Sequence, residues 1–302
     1  MDTVIVYTPR ISNRLLYTLA WVLGERLRLP YKLCSNPADA AGKPLVIAWG
    51  AILPGALCIP AAPLLLQQGT DVPVPDTGQW QHMPTLYPCA DAGYTLPFDI
   101  FSAVFYLLAR CEEYGPYTPD KHGRYPAQAS ILHQLGILHR PIADEWVHAL
   151  RLLLQEQWRT TLPVPMYSYR PSYDIDIAYS YLHKGLARTT GAWVRALLKA
   201  DVAQLRSRME VIRKKQKDPY DSFRWLRQVH KAYGYRPLYF VLCALRTTPF
   251  DKNIHPQHPA MVRIIKQLAR EGDVGIHPSY YTDKGNALQA EKRTLEQVAG
   301  HT

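Results

Sequence analysis

The sequence predicts an α/β protein built in two parts, a small N-terminal α/β domain over residues 1–162 and a second strand-and-helix domain over residues 163–302. Three observations lead there. The chain has 302 residues, 47% of them apolar, enough for two cores of ordinary domain size. Short β-branched or aromatic runs alternate with longer stretches of helical periodicity, the pattern of a parallel sheet with helices laid on it. The segment TTLPVPMYSYRPS places three prolines in thirteen residues, and proline both ends helices and stiffens connectors. The junction is therefore set near Leu162.

Taken in order, TVIVY (3–7) reads as a strand. The stretch SNRLLYTLAWVLGERL reads as a helix opened by Ser12 and Asn13, with Leu15, Leu16, Leu19, Val22 and Leu23 on one stripe. Residues 31–34 and 45–49 are short apolar runs bounded by Pro, Gly or Asn and are expected as further strands. Between 51 and 97 prolines and glycines recur, which predicts loops and short edge strands without a long helix. Residues 98–113 (FDIFSAVFYLLARCEE) and 143–158 are expected as helices. Beyond the junction, YDIDIAYSY, 237–244 and 273–277 read as strands. Residues 191–216, 222–233, 258–271 and 286–299 read as helices.

Composition and charge exclude several classes. No run approaches the ~18–20 apolar residues of a membrane span, and MDTVIVYTPR has no secretory pattern. The five cysteines, Cys34, Cys58, Cys89, Cys111 and Cys243, contain no C-x-x-C pair, which predicts reduced, mostly buried thiols in a cytoplasmic protein. No nucleic-acid-binding module is recognisable. The net charge of +10 is local, because residues 184–236 hold fourteen Lys/Arg against four Asp/Glu. That stretch is either a solvated helix face or a surface for an anionic polymer or phospholipid envelope.

Two groups could carry chemistry. In a strand, Asp174 and Asp176 share one face about 7 Å apart, where a metal could take one carboxylate and leave the other as a base. Exposed strand-end acids or helix caps are the plainer reading. His277, in GIHPSYY directly after a strand, stands at the end where parallel α/β scaffolds gather ligands, and it reads either as a metal ligand or as a structural histidine. Asp120, His122 and Arg124, with Glu112 and Glu113, form a polar group that reads first as an ion-pair network fixing the domain and second as a separate site.

The order Y-D-I-D, then strand-G-I-H-P-S about a hundred residues on, resembles the first two motifs of the polysaccharide-deacetylase (NodB-like, carbohydrate esterase family 4-like) family. The remaining landmarks resemble a bacterial subgroup with an extra N-terminal domain. They are FDIFSAVFYLLARCEEY, DKHGRY, RPIADEW, KDPYD and AEKRTLE. The resemblance implies a metal-dependent hydrolase that releases acetate from N-acetylated glycans. It makes Asp174 the catalytic base, Asp176 the metal-binding carboxylate and His277 the first metal-binding histidine, with zinc as the divalent ion. Where that family has its second metal histidine this chain has Tyr281. Ser279, Tyr280 and Thr282 are nearby oxygens, and the only later histidine is His301. The resemblance implies about seven strands in a (β/α) barrel, whereas three or four are countable after residue 173. Residues 163–302 are therefore expected as a partial, C-terminally truncated barrel whose open edge is completed downstream or covered by a partner. The alternative function is a non-catalytic binding or scaffold protein that uses residues 184–236.

Overall fold

The computed structural model of the chain describes residues 2–121, 123–164, 166–185, 189–191, 198, 201–246, 248–282 and 285–300. It divides into two compact units, Met1–Met166 and Tyr167–Thr302.

The first unit is organised by four parallel strands, β1 (Val4–Tyr7), β2 (Tyr31–Cys34), β3 (Val46–Trp49) and β4 (Leu57–Ile59), in the order β2-β1-β3-β4. Alternation along β1 sends Val4 and Val6 into the main core, where they meet Leu15, Leu19, Val22 and Leu23. Tyr7 turns to the other face with Ala40, Ala48 and Cys58. Helix α1 (Asn13–Leu19), capped by the Ser12 hydroxyl, continues as a π-helical segment over Ala20–Arg26. Leu16 departs from the expected stripe. It is exposed, because it lies about 100° around the helix from Leu15, which takes the core position.

After a short helix α2 (Pro37–Ala40) and an antiparallel hairpin, β5 (Thr77–Trp80) with β6 (Met83–Leu86), helix α3 (Ile100–Leu108) enters the core. Its cap, Asp99, is fully buried. The carboxylate accepts from Trp49 Nε1 (3.1 Å), the backbone N–H of Ala62 (2.8 Å), Phe101 and Ser102 (3.1 Å each), and the Ser102 hydroxyl (2.5 Å). The helix expected to run to 113 stops earlier, since Arg110 adopts a left-handed conformation and only a 3-10 turn, Cys111–Glu113, follows. Helices α4 (Ile131–Gln134) and α5 (Ile142–Trp158) complete the unit, and buried Trp146 of α5 donates to the Pro84 carbonyl at 2.9 Å.

The second unit holds three parallel strands, β7 (Ser172–Ile175), β8 (Leu238–Leu242) and β9 (Asp273–His277), with β8 central. One face buries Ile175, Tyr239, Val241 and Cys243 against Ala260, Met261, Ile264, Ile265 and Leu268 of helix α8 (Pro259–Glu271) and Leu295 and Val298 of helix α9 (Ala287–Ala299). Helices α6 (Val202–Ile212) and α7 (Phe223–Tyr233) precede these two in the chain. Buried His230 of Phe223–Tyr233 lies between the hydroxyls of Tyr173, 2.8 Å away, and Tyr239, 3.3 Å away, and so ties that helix to β7 and β8. Beside β9, a cavity of about 680 Å³ is lined by Val274, Ile276, Lys292, Leu295, Glu296 and Ala299. Among the described residues β9 has no strand on that side.

Of the helix pair expected over 191–216, Val202–Ile212 is described, and most of 186–200 lies outside the described residues, as do His122, Pro165 and His301. All five cysteines are free; Cys58, Cys111 and Cys243 are buried, Cys34 and Cys89 half-buried. Burial, and then Glu291, pushes the Cys243 thiol up to about 12. Among the described residues no helix is long and apolar enough to cross a membrane.

Candidate functional site at the strand ends of the second unit

The register of the sheet assembles the sequence-predicted residues. Asp174 is level with Phe240 and Gly275, and Ile175 with Val241 and Ile276. The next level up therefore holds Asp176, Leu242 and His277. Asp174 and Asp176 share a face, as period-two alternation requires, with Ile175 buried on the opposite one. Asp176 lies one residue beyond the end of β7, not within it, and this frees its side chain to lean across the end of β8. Its Oδ1 comes to 3.3 Å from His277 Nε2. The other ring nitrogen, Nδ1, is 3.0 Å from the Pro278 carbonyl oxygen. An imidazole donating Nδ1–H to a backbone carbonyl keeps its Nε2 lone pair for a cation, the arrangement usual for metal-ligating histidines.

Four buried polar residues hold the loops that bear this pair. Beyond β7, Asn253 accepts from the Ala178 N–H (3.1 Å) and donates to the Leu242 and Ile175 carbonyls (3.1 and 3.4 Å), which pins the ends of β7 and β8 together. Asp218 accepts from the backbone N–H of Ser180 (2.7 Å), Tyr181 (2.8 Å), Leu182 (3.1 Å) and Tyr220 (3.1 Å). Beyond β9, Glu291 accepts from the Ser279 N–H (3.1 Å) and hydroxyl (2.5 Å). Asp251 accepts from the Tyr280 N–H (3.0 Å) and the Thr248 hydroxyl (2.7 Å). Each carboxylate replaces water for backbone groups that a tight loop cannot pair internally. Asp218 and Glu291 give physical content to the KDPYD and AEKRTLE landmarks. Asn253 and Asp251 were not foreseen, because their partners lie on distant segments.

Two of the three nearby hydroxyls are engaged. The Ser279 hydroxyl donates to Glu291, and the Thr282 hydroxyl donates to the Ser279 carbonyl at 2.9 Å. Among the described residues no group of three or more His, Cys, Asp or Glu is arranged to hold a metal ion. His183 packs against His258 with ring centroids 5.3 Å apart, and burial, then that neighbour, lowers its pKa below the ordinary value. Tyr280 stacks on Phe250 at 4.1 Å and 17°, and both rings are exposed on the loops just past the strand ends.

The polar group of the first unit resolves into local pairs, Arg124 with Asp120 at 2.9 Å and Arg110 with Glu113 at 2.5 Å, while Glu112 accepts from the Ile131 N–H at 3.0 Å.

The fold is thus that of an α/β protein with two parallel sheets, the second carrying an Asp–His pair at its strand ends. Its N-terminal unit places it: the chain belongs to the family described as a family of unknown function (DUF7033), which matches residues 4–159. No curated protein and no solved structure matches the chain.

Proposed function

We propose that the second unit is a polysaccharide-deacetylase-like half-barrel that acts on N-acetylated glycans, hydrolysing the C–N amide bond and releasing acetate. The observation that supports this most is the 3.3 Å separation of Asp176 Oδ1 and His277 Nε2. Two zinc bonds of about 2.0–2.1 Å at the tetrahedral angle span about 3.3–3.4 Å, so the two donors stand as neighbouring ligands of one ion would. Asp176 and His277 would hold the metal; a third donor belongs to a residue or water that the described Asp, Glu, His and Cys residues do not supply. A divalent ion held there would polarise an acetamide carbonyl and lower the pKa of a bound water. Asp174, exposed on the same face, takes the proton of the attacking water, and the C–N bond breaks to give acetate and the free amine. The Phe250–Tyr280 stack offers an apolar surface on which a pyranose ring can lie.

Zinc titration of the full chain against a chromophoric chelator tests the pair. The expected outcome is stoichiometric binding that weakens at least tenfold in Asp176→Ala and in His277→Ala but stays within about twofold in Asp174→Asn, whose loss appears only in acetate release from chitin oligomers. Binding indifferent to Asp176 and His277 would remove the reading.

A second reading rests on a separate observation. Val202, Met209 and Ile212 are exposed along the basic helix Val202–Ile212, close to Arg206, Arg213, Lys214 and Lys215. Apolar residues beside a basic face suit an anionic phospholipid surface. Sedimentation with phosphatidylglycerol vesicles that is abolished by raised salt and by Met209→Glu would favour it, whereas equal behaviour on neutral vesicles would not.

A further inference from the structure

The first unit contains a cavity of about 600 Å³ that is remote in sequence from the Asp–His pair and has no part in the proposed chemistry. Its chemistry is distinctive. Tyr106, Tyr117 and Tyr125 line it together with the carboxylates of Glu112 and Asp71, and no Lys or Arg stands among its described lining residues. In a chain with ten more basic than acidic side chains, a pocket walled by carboxylates and phenols is the local exception.

The rings of Tyr117 and Tyr125 meet at 4.9 Å and 69°, forming a corner with two aromatic faces. Tyr106 is buried at the back, its own ring edge-on to Tyr87 at 6.2 Å. Glu112 is half-buried, and its Oε2 accepts from the Ile131 N–H; among the described residues Oε1 has no hydrogen-bond donor. Two of the phenols lie within the field of this charge. After burial, Glu112 is the first neighbour that raises the hydroxyl pKa of both Tyr106 and Tyr125. Three arginines are engaged elsewhere: Arg110 by Glu113, Arg124 by Asp120, and Arg14 by the Leu64 and Gly69 carbonyls.

Aromatic faces attract a cation through the ring quadrupole, and a half-buried carboxylate with an open oxygen adds direct charge pairing. Among the described lining residues an anionic ligand meets no side chain of opposite sign, and a purely apolar ligand would strand the Glu112 oxygen. We propose that this pocket binds the ammonium group of a ligand, either a quaternary ammonium or the protonated amine of an amino sugar. The site holds the cation in the Tyr117–Tyr125 corner, with Glu112 as counter-charge and Asp71 at the exposed rim.

The test is calorimetric titration of the full chain with four probes: choline, its neutral isostere 3,3-dimethylbutan-1-ol, glucosamine, and N-acetylglucosamine. Saturable binding of choline or glucosamine, at least tenfold tighter than that of its neutral counterpart, is expected, and which of the two cations binds more tightly distinguishes the sources. Tyr117→Ala and Glu112→Gln should each weaken it about tenfold, the effect of one desolvated cation–π or charge contact. Because Gln retains an oxygen for the Ile131 N–H, Glu112→Gln should fold, and the rim change Asp71→Asn, at an exposed position, provides a second variant with a smaller loss. Equal binding of charged and neutral probes, binding unchanged in these variants, or no binding of any probe would overturn the proposal. Choline and 3,3-dimethylbutan-1-ol carry neither a sugar nor an acetamide, so their comparison does not depend on whether the second unit binds zinc or acts on N-acetylated glycans.

Discussion

The two units are built on the same principle and finished differently. In the first, the central strands β1 and β3 are flanked on both sides, α1, α3 and α5 cover one face, and the cap of α3 is a buried carboxylate with five donors. In the second, three strands bury one face under α8 and α9. The other face carries half-buried Phe240 and Gly275 and exposed Asp174, and every residue of β9 is only half-buried. The polar investment differs correspondingly. The first unit spends its buried carboxylate on closing a core, whereas the second uses Asp218, Asp251 and Glu291 to hold the loops that present Asp176 and His277. The contrast is that of a scaffold made rigid for its own stability and one made rigid around a set of strand ends.

The sharpest way to break this comparison is at Asp99. Asp99→Ala strands the Trp49 indole and three backbone donors, and should cost about 3 kcal/mol. Urea unfolding followed by hydrogen exchange should show that loss in residues 4–159 with protection of β7 to β9 unchanged; a shared loss would mean that the units unfold together. Next in size, Asp218→Ala should cost about 2 kcal/mol by leaving the N–H groups of Ser180, Tyr181 and Leu182 unpaired. It should also weaken zinc binding by about tenfold or more, as for lost supporting bonds around a metal ligand. Stability lost with zinc affinity intact would separate the loop from the site.

Gly272→Ala sharpens the comparison from the sheet itself. A Cβ there would meet the Pro237 carbonyl oxygen at 2.3 Å, where β8 and β9 begin. Since a backbone atom cannot turn away, the expected cost is about 1–3 kcal/mol, seen as a lower urea midpoint for the second unit alone. The smallest effect belongs to Asp273, whose hydrogen bonds from Arg236 and Arg170 hold its carboxyl below the ordinary value. A depressed carboxyl contributes stability above its unfolded value, near 4, and loses it as pH falls through the lower folded value. Asp273→Asn should therefore lower the second unit's stability at neutral pH only slightly and flatten its acid limb by the same small amount, because the pair is exposed. A large change at pH 7 would contradict that.

Much of the secondary structure was legible from local pattern. The strand at 273–277 and the helices ending at Trp158, Tyr233, Glu271 and Ala299 fall where apolar period and Pro, Gly or Asn boundaries put them. The early end of α3 was not legible, since FDIFSAVFYLLARCEE has unbroken helical character and Arg110 turns left-handed only in its tertiary setting. The outward turn of Leu16 and the position of Asp176 beyond the strand were hidden for the same reason. Spacing named Asp174, Asp176 and His277 individually. The contact between the last two was not written in it, because 101 residues separate them and only the register through β8 makes them level.

What the sequence by itself determined is the alternation of strand and helix, the two-part chain, and the side chains able to carry chemistry, since these follow from period, composition and residue type. Tertiary structure alone decided which polar groups are buried and whom they serve. Asn253 bridges β7 and β8, Glu112 keeps one oxygen open in a tyrosine-lined pocket, and Asp176 reaches His277. The physical reason is that burial and hydrogen bonding are set by segments distant in the chain, whose approach no local pattern encodes.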